Sequence, residues 1–122
     1  MATLDDLRRL SLALPGAEEV TYKGDPWFNV GKKTFALFVR GRAILKLDKP
    51  HQELLFEIRP DTFEKCPVAT VYWSYVALGR LDEPELAELV LESWANVVPK
   101  KMSRPVLEAA RPDSARSRPS PG

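Results

Sequence analysis

Leucine recurs at positions 4, 7, 10, 12 and 14, with Arg8 and Arg9 turned to the other face. That spacing is mostly helical and predicts a first helix over 4–14. Thr3 stands where a cap is needed, Asp5 and Asp6 fall in the first turn where the helix dipole favours anions, and Pro15-Gly16 stops the helix. The period then drops to two. Residues 19–23 (EVTYK) alternate and are rich in β-branched and aromatic types, which predicts a strand. Gly24-Asp25-Pro26 reads as a turn, 27–30 as a second strand closed by Gly31-Lys32-Lys33, and 34–40 as the clearest strand of all. Within it, alternation should put Phe35, Leu37 and Val39 on one face and Ala36, Phe38 and Arg40 on the other. Gly41-Arg42 reads as a two-residue Gly-X connection to a fourth strand over 43–47, where Lys46 projects opposite Leu45 and Leu47.

Asp48 is placed to cap a second helix, with Pro50 near its first turn, an apolar stripe of Leu54, Leu55 and Ile58, and Pro60 ending it beside Arg59. Residues 61–72 are ambiguous. Phe63, Val68 and Val71 are strand-like, but Pro67 confines any strand to an edge or a break. Trp73 to Leu78 alternates again, with Trp73, Tyr75 and Ala77 against Ser74, Val76 and Leu78. Asp82, Pro84 and Glu85 form a helix start, with Glu85 completing a box-like pair with Asp82. Leu86, Leu89, Val90, Trp94, Val97 and Val98 carry that helix to about Val98, before Pro99. The order is α-β(3–4)-α-β(1–2)-α. Consecutive strands with short loops imply an α+β domain of two layers, a largely antiparallel sheet with helices on one face.

Residues 1–102 account for this domain. Residues 103–122 read as a Pro, Arg and Ser-rich tail, expected to be disordered from about 111 because so few apolar residues cannot offset the entropy of ordering. At 122 residues the chain is one domain's worth, and 44% hydrophobic with 29% charged residues is ordinary for a globular protein. No apolar run approaches the ~18 residues needed to span a bilayer. The N-terminus carries acids where a signal peptide would carry bases, so a cytoplasmic chain with no membrane role is expected.

Charge changes the picture more than composition does. The net charge is +1, but residues 1–98 hold 12 Lys and Arg against 15 Asp and Glu, while 99–122 hold 6 against 2. Within the first part, residues 23–49 hold 7 bases against 2 acids. The bases therefore gather in the hairpins and the tail, and the helices are acidic.

Cys66 is the only cysteine and His51 the only histidine, which excludes an internal disulfide and a multi-histidine metal site. Together they are the one conventional nucleophile–base pair on offer, with no motif to orient the imidazole. A small, partly buried thiol is the plainer reading of Cys66. Glu83, Glu85, Glu88 and Glu92 could ligate a metal, but Glu88 and Glu92 four apart read as a solvated helix face. Gly24, Gly31 and Gly41 are spaced as hairpin turns rather than as a phosphate loop. No cofactor and no catalytic residue are expected.

Trp27, Phe28, Trp73 and Tyr75 have two readings. They pack the core and sheet faces, or one or two of them stand on an exposed face ready to stack on a ligand. The bases likewise either keep sheet edges soluble or neutralise phosphate.

Three stretches carry a resemblance: Leu14-Pro15-Gly16-Ala17-Glu18-Glu19; Tyr22-Lys23-Gly24-Asp25-Pro26-Trp27-Phe28; and Gly31-Lys32-Lys33-Thr34-Phe35-Ala36. With the later Trp73 to Leu78 strand and the helix ending in Val98-Pro99-Lys100-Lys101, they resemble the MmcQ/YjbR-like family over about residues 3–102. The resemblance implies an α-β(3)-α-β(2)-α fold, related in shape to frataxin-like and secretion-chaperone-like folds. It also implies a double-wing mode of DNA binding by two β-hairpins. On that reading Lys32, Lys33, Arg40, Arg42 and Lys46 contact phosphate, Lys100, Lys101 and Arg104 add attraction, and Trp27 or Tyr75 packs on sugar or base. The proline-broken 61–72 segment departs from the pattern at the second wing. The competing expectation is a protein- or small-ligand-binding adaptor without a nucleic-acid role, as a monomer or homodimer.

Overall fold

A computed structural model describes residues 1–66 and 73–109. The leucine-rich start forms α1 (Leu4–Leu12), opened by a reciprocal cap. The Asp6 N–H donates to the Thr3 hydroxyl, and the Thr3 N–H donates to the Asp6 carboxylate at 3.0 Å. Arg9, and after it the Thr3 backbone, hold the Asp6 carboxyl below its ordinary value of 3.8.

The strands are β1 (Ala17–Tyr22), β2 (Asp25–Val30), β3 (Lys33–Val39), β4 (Arg42–Lys46), β5 (Phe63–Lys65) and β6 (Trp73–Val76). They form one sheet in the order β1-β2-β3-β4-β6-β5, antiparallel throughout. The helices α2 (Lys49–Ile58), α3 (Glu83–Ala95) and α4 (Lys100–Ala109) join α1 in the second layer. The fold class read from the sequence is the one found.

Two turns differ from the sequence reading. Tyr22 pairs with Asp25 and Val39 with Arg42, so the central residues are Lys23-Gly24 and Arg40-Gly41. Both bases sit at positive φ (51° and 54°) and both glycines follow at 85° and 80°. That is type I′ geometry, which matches strand twist and needs two left-handed residues. The β3–β4 connection is therefore X-Gly, not Gly-X, and Arg42 begins β4. Pro26 lies inside β2, paired with Thr21 and one residue beyond the β2–β3 ladder, where its missing N–H costs no bond.

The predicted alternation along β3 also breaks. Phe28 faces Ala36 but Asn29 faces Thr34, leaving Phe35 as an extra residue in a bulge. Phe35 consequently turns into the core beneath the helices with Ala36, while Leu37 and Val39 remain on the opposite face.

The stripe predicted for α2 is rotated. Leu55 is buried, but Leu54 and Ile58 are 50% and 57% exposed. Its inward face is instead Gln52 and Leu55, with Gln52 accepting a 2.6 Å hydrogen bond from the buried Ser74 hydroxyl. Asp48 makes no side-chain cap. Its N–H donates 2.8 Å to Glu92 of α3, so a carboxylate from another helix takes the part that an N3 side chain plays in a capping box.

α3 is the central helix, with Leu86, Leu89, Val90 and Trp94 buried. Asp82 caps it as the sequence indicates, but the Glu85 side chain bonds Arg59 rather than closing a box. Trp94 is wholly buried, and its indole N–H donates 3.0 Å to the Pro15 carbonyl. Lys46 N–H donates 2.8 Å to Ser93, and Asn96 donates 2.9 Å to the Lys46 carbonyl, which moors the end of β4 to the same helix.

The sequence reading did not anticipate α4, which runs through the position where it places the end of the domain. Met102 and Val106 pack on the core and Ser103 is buried, an inward face that outweighs the helix-breaking tendency of Pro105. The disorder expected from about 111, like Val68 and Val71, lies outside the described residues.

Trp94→Phe removes the bond to Pro15 and should cost about 1–2 kcal/mol, while Trp94→Ala adds a cavity and should cost about 3–5 kcal/mol. Urea unfolding of both variants checks this; wild-type stability in Trp94→Phe would show that the indole N–H contributes nothing.

Candidate functional site on the helix-free sheet face

Because the four helices among the described residues cover one side, the alternate strand positions face outward with no second layer among those residues. The pairing aligns Val20, Trp27, Leu37, Ile44, Tyr75 and Glu64 in one row across this face. Neighbouring rows add Tyr22 and Arg42 toward one end of the strands, and Thr34, Lys46 and Trp73 toward the other. Leu37, Ile44 and Cys66 are buried here beneath the half-buried Trp27, Trp73 and Tyr75. Phe28 alone of the four singled-out aromatics belongs to the core on the other side. The question left open by the sequence is answered residue by residue: one is core, three are on the face.

Cations lie against these rings. The Arg42 guanidinium stacks 3.6 Å from the Tyr75 ring centroid while donating 2.8 Å to Glu64. Lys46 lies 5.8 Å over Trp73, and Lys23 lies 5.5 Å over Tyr22, which itself meets Trp27 at 5.0 Å. A cleft of about 570 Å³ opens on this face, with Trp27 and Trp73 at its sides and Leu37 and Ile44 beneath. Lys33, Thr34, Lys46 and Asn96 supply its polar atoms. A larger groove of about 840 Å³ runs between α3 and α4, but Glu88, Glu92 and Glu108 line it beside Lys100 and Arg104, giving it mixed charge.

The bases named from the sequence are not gathered into one strip. Lys32, Lys33 and Lys46 stand at one end of the strands, and Arg40 and Arg42 at the other. Lys100 and Lys101 begin α4 in the helical layer. Arg42 is engaged by Glu64 and Tyr75, so Tyr75 offers less open ring than Trp73 does. Trp73 was weighed for stacking with the other three aromatics but not named as a DNA contact, although its alternation with Tyr75 already placed both on one face. Lys23 was also missed; it carries the second I′ turn beside Arg40.

Cys66 and His51 are not brought together. Cys66 packs on the helix-free face, whereas His51 Nδ1 lies 2.6 Å from Glu92 in the helical layer. Glu83, Glu85 and Glu92 are bonded to Arg9, Arg59 and His51, and no group of metal-ligating side chains forms among the described residues. No helix among them is long and apolar enough to cross a membrane.

Residues 12–96 match the family model described as YjbR. The chain belongs to the YjbR family. A crystal structure of Deinococcus radiodurans protein DR2400, described as a DUF419 domain, resembles this YjbR chain with a TM-score of 0.72 and 25% sequence identity. The likeness covers 87% of this chain and 88% of that one. No curated protein matches it.

Burial, and next the Cys66 thiol that its hydroxyl meets, raise Tyr75 above its ordinary value of 10.0. The native state therefore keeps a proton that the unfolded chain gives up above that pH, so stability falls as pH rises past it. Urea midpoints of the wild type and Tyr75→Phe, taken below and above pH 10.0, should show a smaller alkaline loss in the variant. Equal losses would mean that Tyr75 ionises as freely in the native state as in the unfolded chain.

Proposed function

We propose that this YjbR-family chain is a non-catalytic DNA-binding module that lays an unpaired stretch of DNA across its helix-free sheet face. The observation that supports it is an aromatic face flanked at both ends by turn-borne bases. Trp27 and Trp73 offer rings on which bases stack. Lys32, Lys33 and Lys46 at one end, and Lys23 and Arg40 at the other, offer charge to phosphates. Stacking platforms inside an electrostatic frame are how single strands are held without strong sequence preference. Lys100 and Lys101 lie in the other layer and add long-range attraction only.

The two ends favour a strand over the insertion of all these bases into one duplex groove. Lys33–Val39 is seven residues long, so its turns stand roughly 20 Å apart, against a major groove of about 12 Å. A duplex reading keeps one specific support, the adjacent I′ tips at Lys23 and Arg40. By strand spacing they are about 10 Å apart, and they form a pair of wings by themselves.

Electrophoretic shift at two salt concentrations, with single-stranded and duplex DNA of the same sequence, tests both. The expected result is tighter binding of the single strand, weakening steeply with salt. Lys32→Ala with Lys33→Ala should reduce the salt slope by about 1.4 if each lysine meets one phosphate of a single strand. Preference for duplex would return the tips to the leading role. No shift at low salt would sink the DNA reading in favour of an adaptor that binds protein or small ligands.

A further inference from the structure

We propose that the cleft on the helix-free face is a binding site for a planar ring carrying a phosphate, that is, a nucleotide unit. This deepens the reading of the face given above, and rests on it where the nucleotide belongs to a strand.

The cleft's volume of about 570 Å³ falls within the ~300–1,000 Å³ typical of small-ligand sites. Its construction is specific in three respects. The floor is apolar and rigid, because Leu37 and Ile44 are cross-strand partners buried at the centre of the sheet. The sides are indoles: Trp27 stands on β2 and Trp73 on β6, with β3 and β4 between them. Three inter-strand steps separate those two strands by roughly 14 Å, leaving room for a ring system to lie on the floor against either indole. The charge at the rim has one sign. Among the described residues Lys33 and Lys46 line the cleft and no carboxylate does, and neither lysine has an ion pair there.

An occupant must therefore join an apolar planar body to an anion. A simple inorganic anion would leave the indoles and the leucine–isoleucine floor without a partner. An uncharged aromatic compound would leave two lysines without one. Lys46 and Trp73 form the row at the turn end of the cleft, and the indole of Trp27 and the floor lie one row further along the strands, so a ring on the floor directs its phosphate toward Lys46. Lys46 is held ready in that position by its own contact over Trp73 and by the bonds that tie its backbone to Ser93 and Asn96. The Thr34 hydroxyl adds a polar contact beside Lys33.

Tryptophan fluorescence reads the site directly, because Trp27 and Trp73 border the cleft and Trp94 is buried beneath the helices. The probes are thymidine 5′-monophosphate, inorganic phosphate, a short oligothymidine, and an abasic strand of equal length. The expected result is quenching by the monophosphate but not by inorganic phosphate. Oligothymidine should bind roughly tenfold more tightly than the abasic strand. Trp27→Ala should weaken the monophosphate by about tenfold. Lys33→Ala with Lys46→Ala weakens it as well, while leaving both reporters in place should the tryptophan change disturb the fold; circular dichroism checks each variant.

The arms separate the two sources and the two readings. Binding of the monophosphate with no binding of any strand keeps the cleft and removes the DNA function. Discrimination between oligothymidine and the abasic strand, without binding of the monophosphate, assigns the ring to a strand. Equal binding of the two strands, unaffected by Trp27→Ala, overturns the cleft and the stacking, and reduces the DNA reading to phosphate contacts made by the bases. No binding of any probe overturns both.

Discussion

The fold hangs from one turn of α3. Trp94 is the largest fully buried side chain, and its N–H reaches back across the chain to the Pro15 carbonyl at 3.0 Å, at the point where α1 gives way to β1. One residue earlier Ser93 receives the Lys46 N–H, and one before that Glu92 receives both His51 and the Asp48 N–H. Three consecutive residues of α3 thus fix the entry to the sheet, the end of β4 and the start of α2. A buried polar group left unmet costs more than a met one gains, so these bonds set register as much as they add stability.

That anchorage has a consequence for the other side of the sheet. With α1 through α4 drawn to one face, the alternate residues of six strands are left with no second layer among the described residues. A sheet exposed in this way is normally polar. Here it carries Trp27, Trp73, Tyr75 and Tyr22, with Lys46, Arg42 and Lys23 set against three of the rings. The cations cover part of the apolar area and keep it hydrated, and they also make it complementary to an anion. The same turns that organise the sheet bring the charge: Gly24 and Gly41 close two hairpins by type I′ geometry only because Lys23 and Arg40 accept positive φ beside them.

Much of this was legible in the residues. The helix starts at Thr3 and Asp82, the strands from 17 to 46 and the facing of Trp73 with Tyr75 all follow from period and capping chemistry. The failures have physical causes. A bulge is invisible to a period-two reading, so Phe35 was assigned to the wrong face. The α2 stripe was misread because Gln52, a polar residue, takes a core position by bonding Ser74, and Leu54 and Ile58 rotate outward in exchange. α4 was missed because Pro105 and the bases of its first turn argue against a helix that tertiary packing of Met102 and Val106 nonetheless supports. At the candidate site, the identity of the bases was readable but not their separation. Antiparallel strands send successive turns to opposite ends, and neighbours in sequence such as Lys33 and Arg40 finish a strand length apart.

The most direct measurement is a ¹H–¹⁵N correlation spectrum of the protein titrated with short single-stranded DNA, read at the three tryptophan indole N–H signals. The helix-free face predicts that Trp27 and Trp73 shift together while Trp94, bonded to Pro15 beneath the helices, stays in place. Shifts confined to amides of α3 and α4, with Trp27 and Trp73 unmoved, would contradict the account.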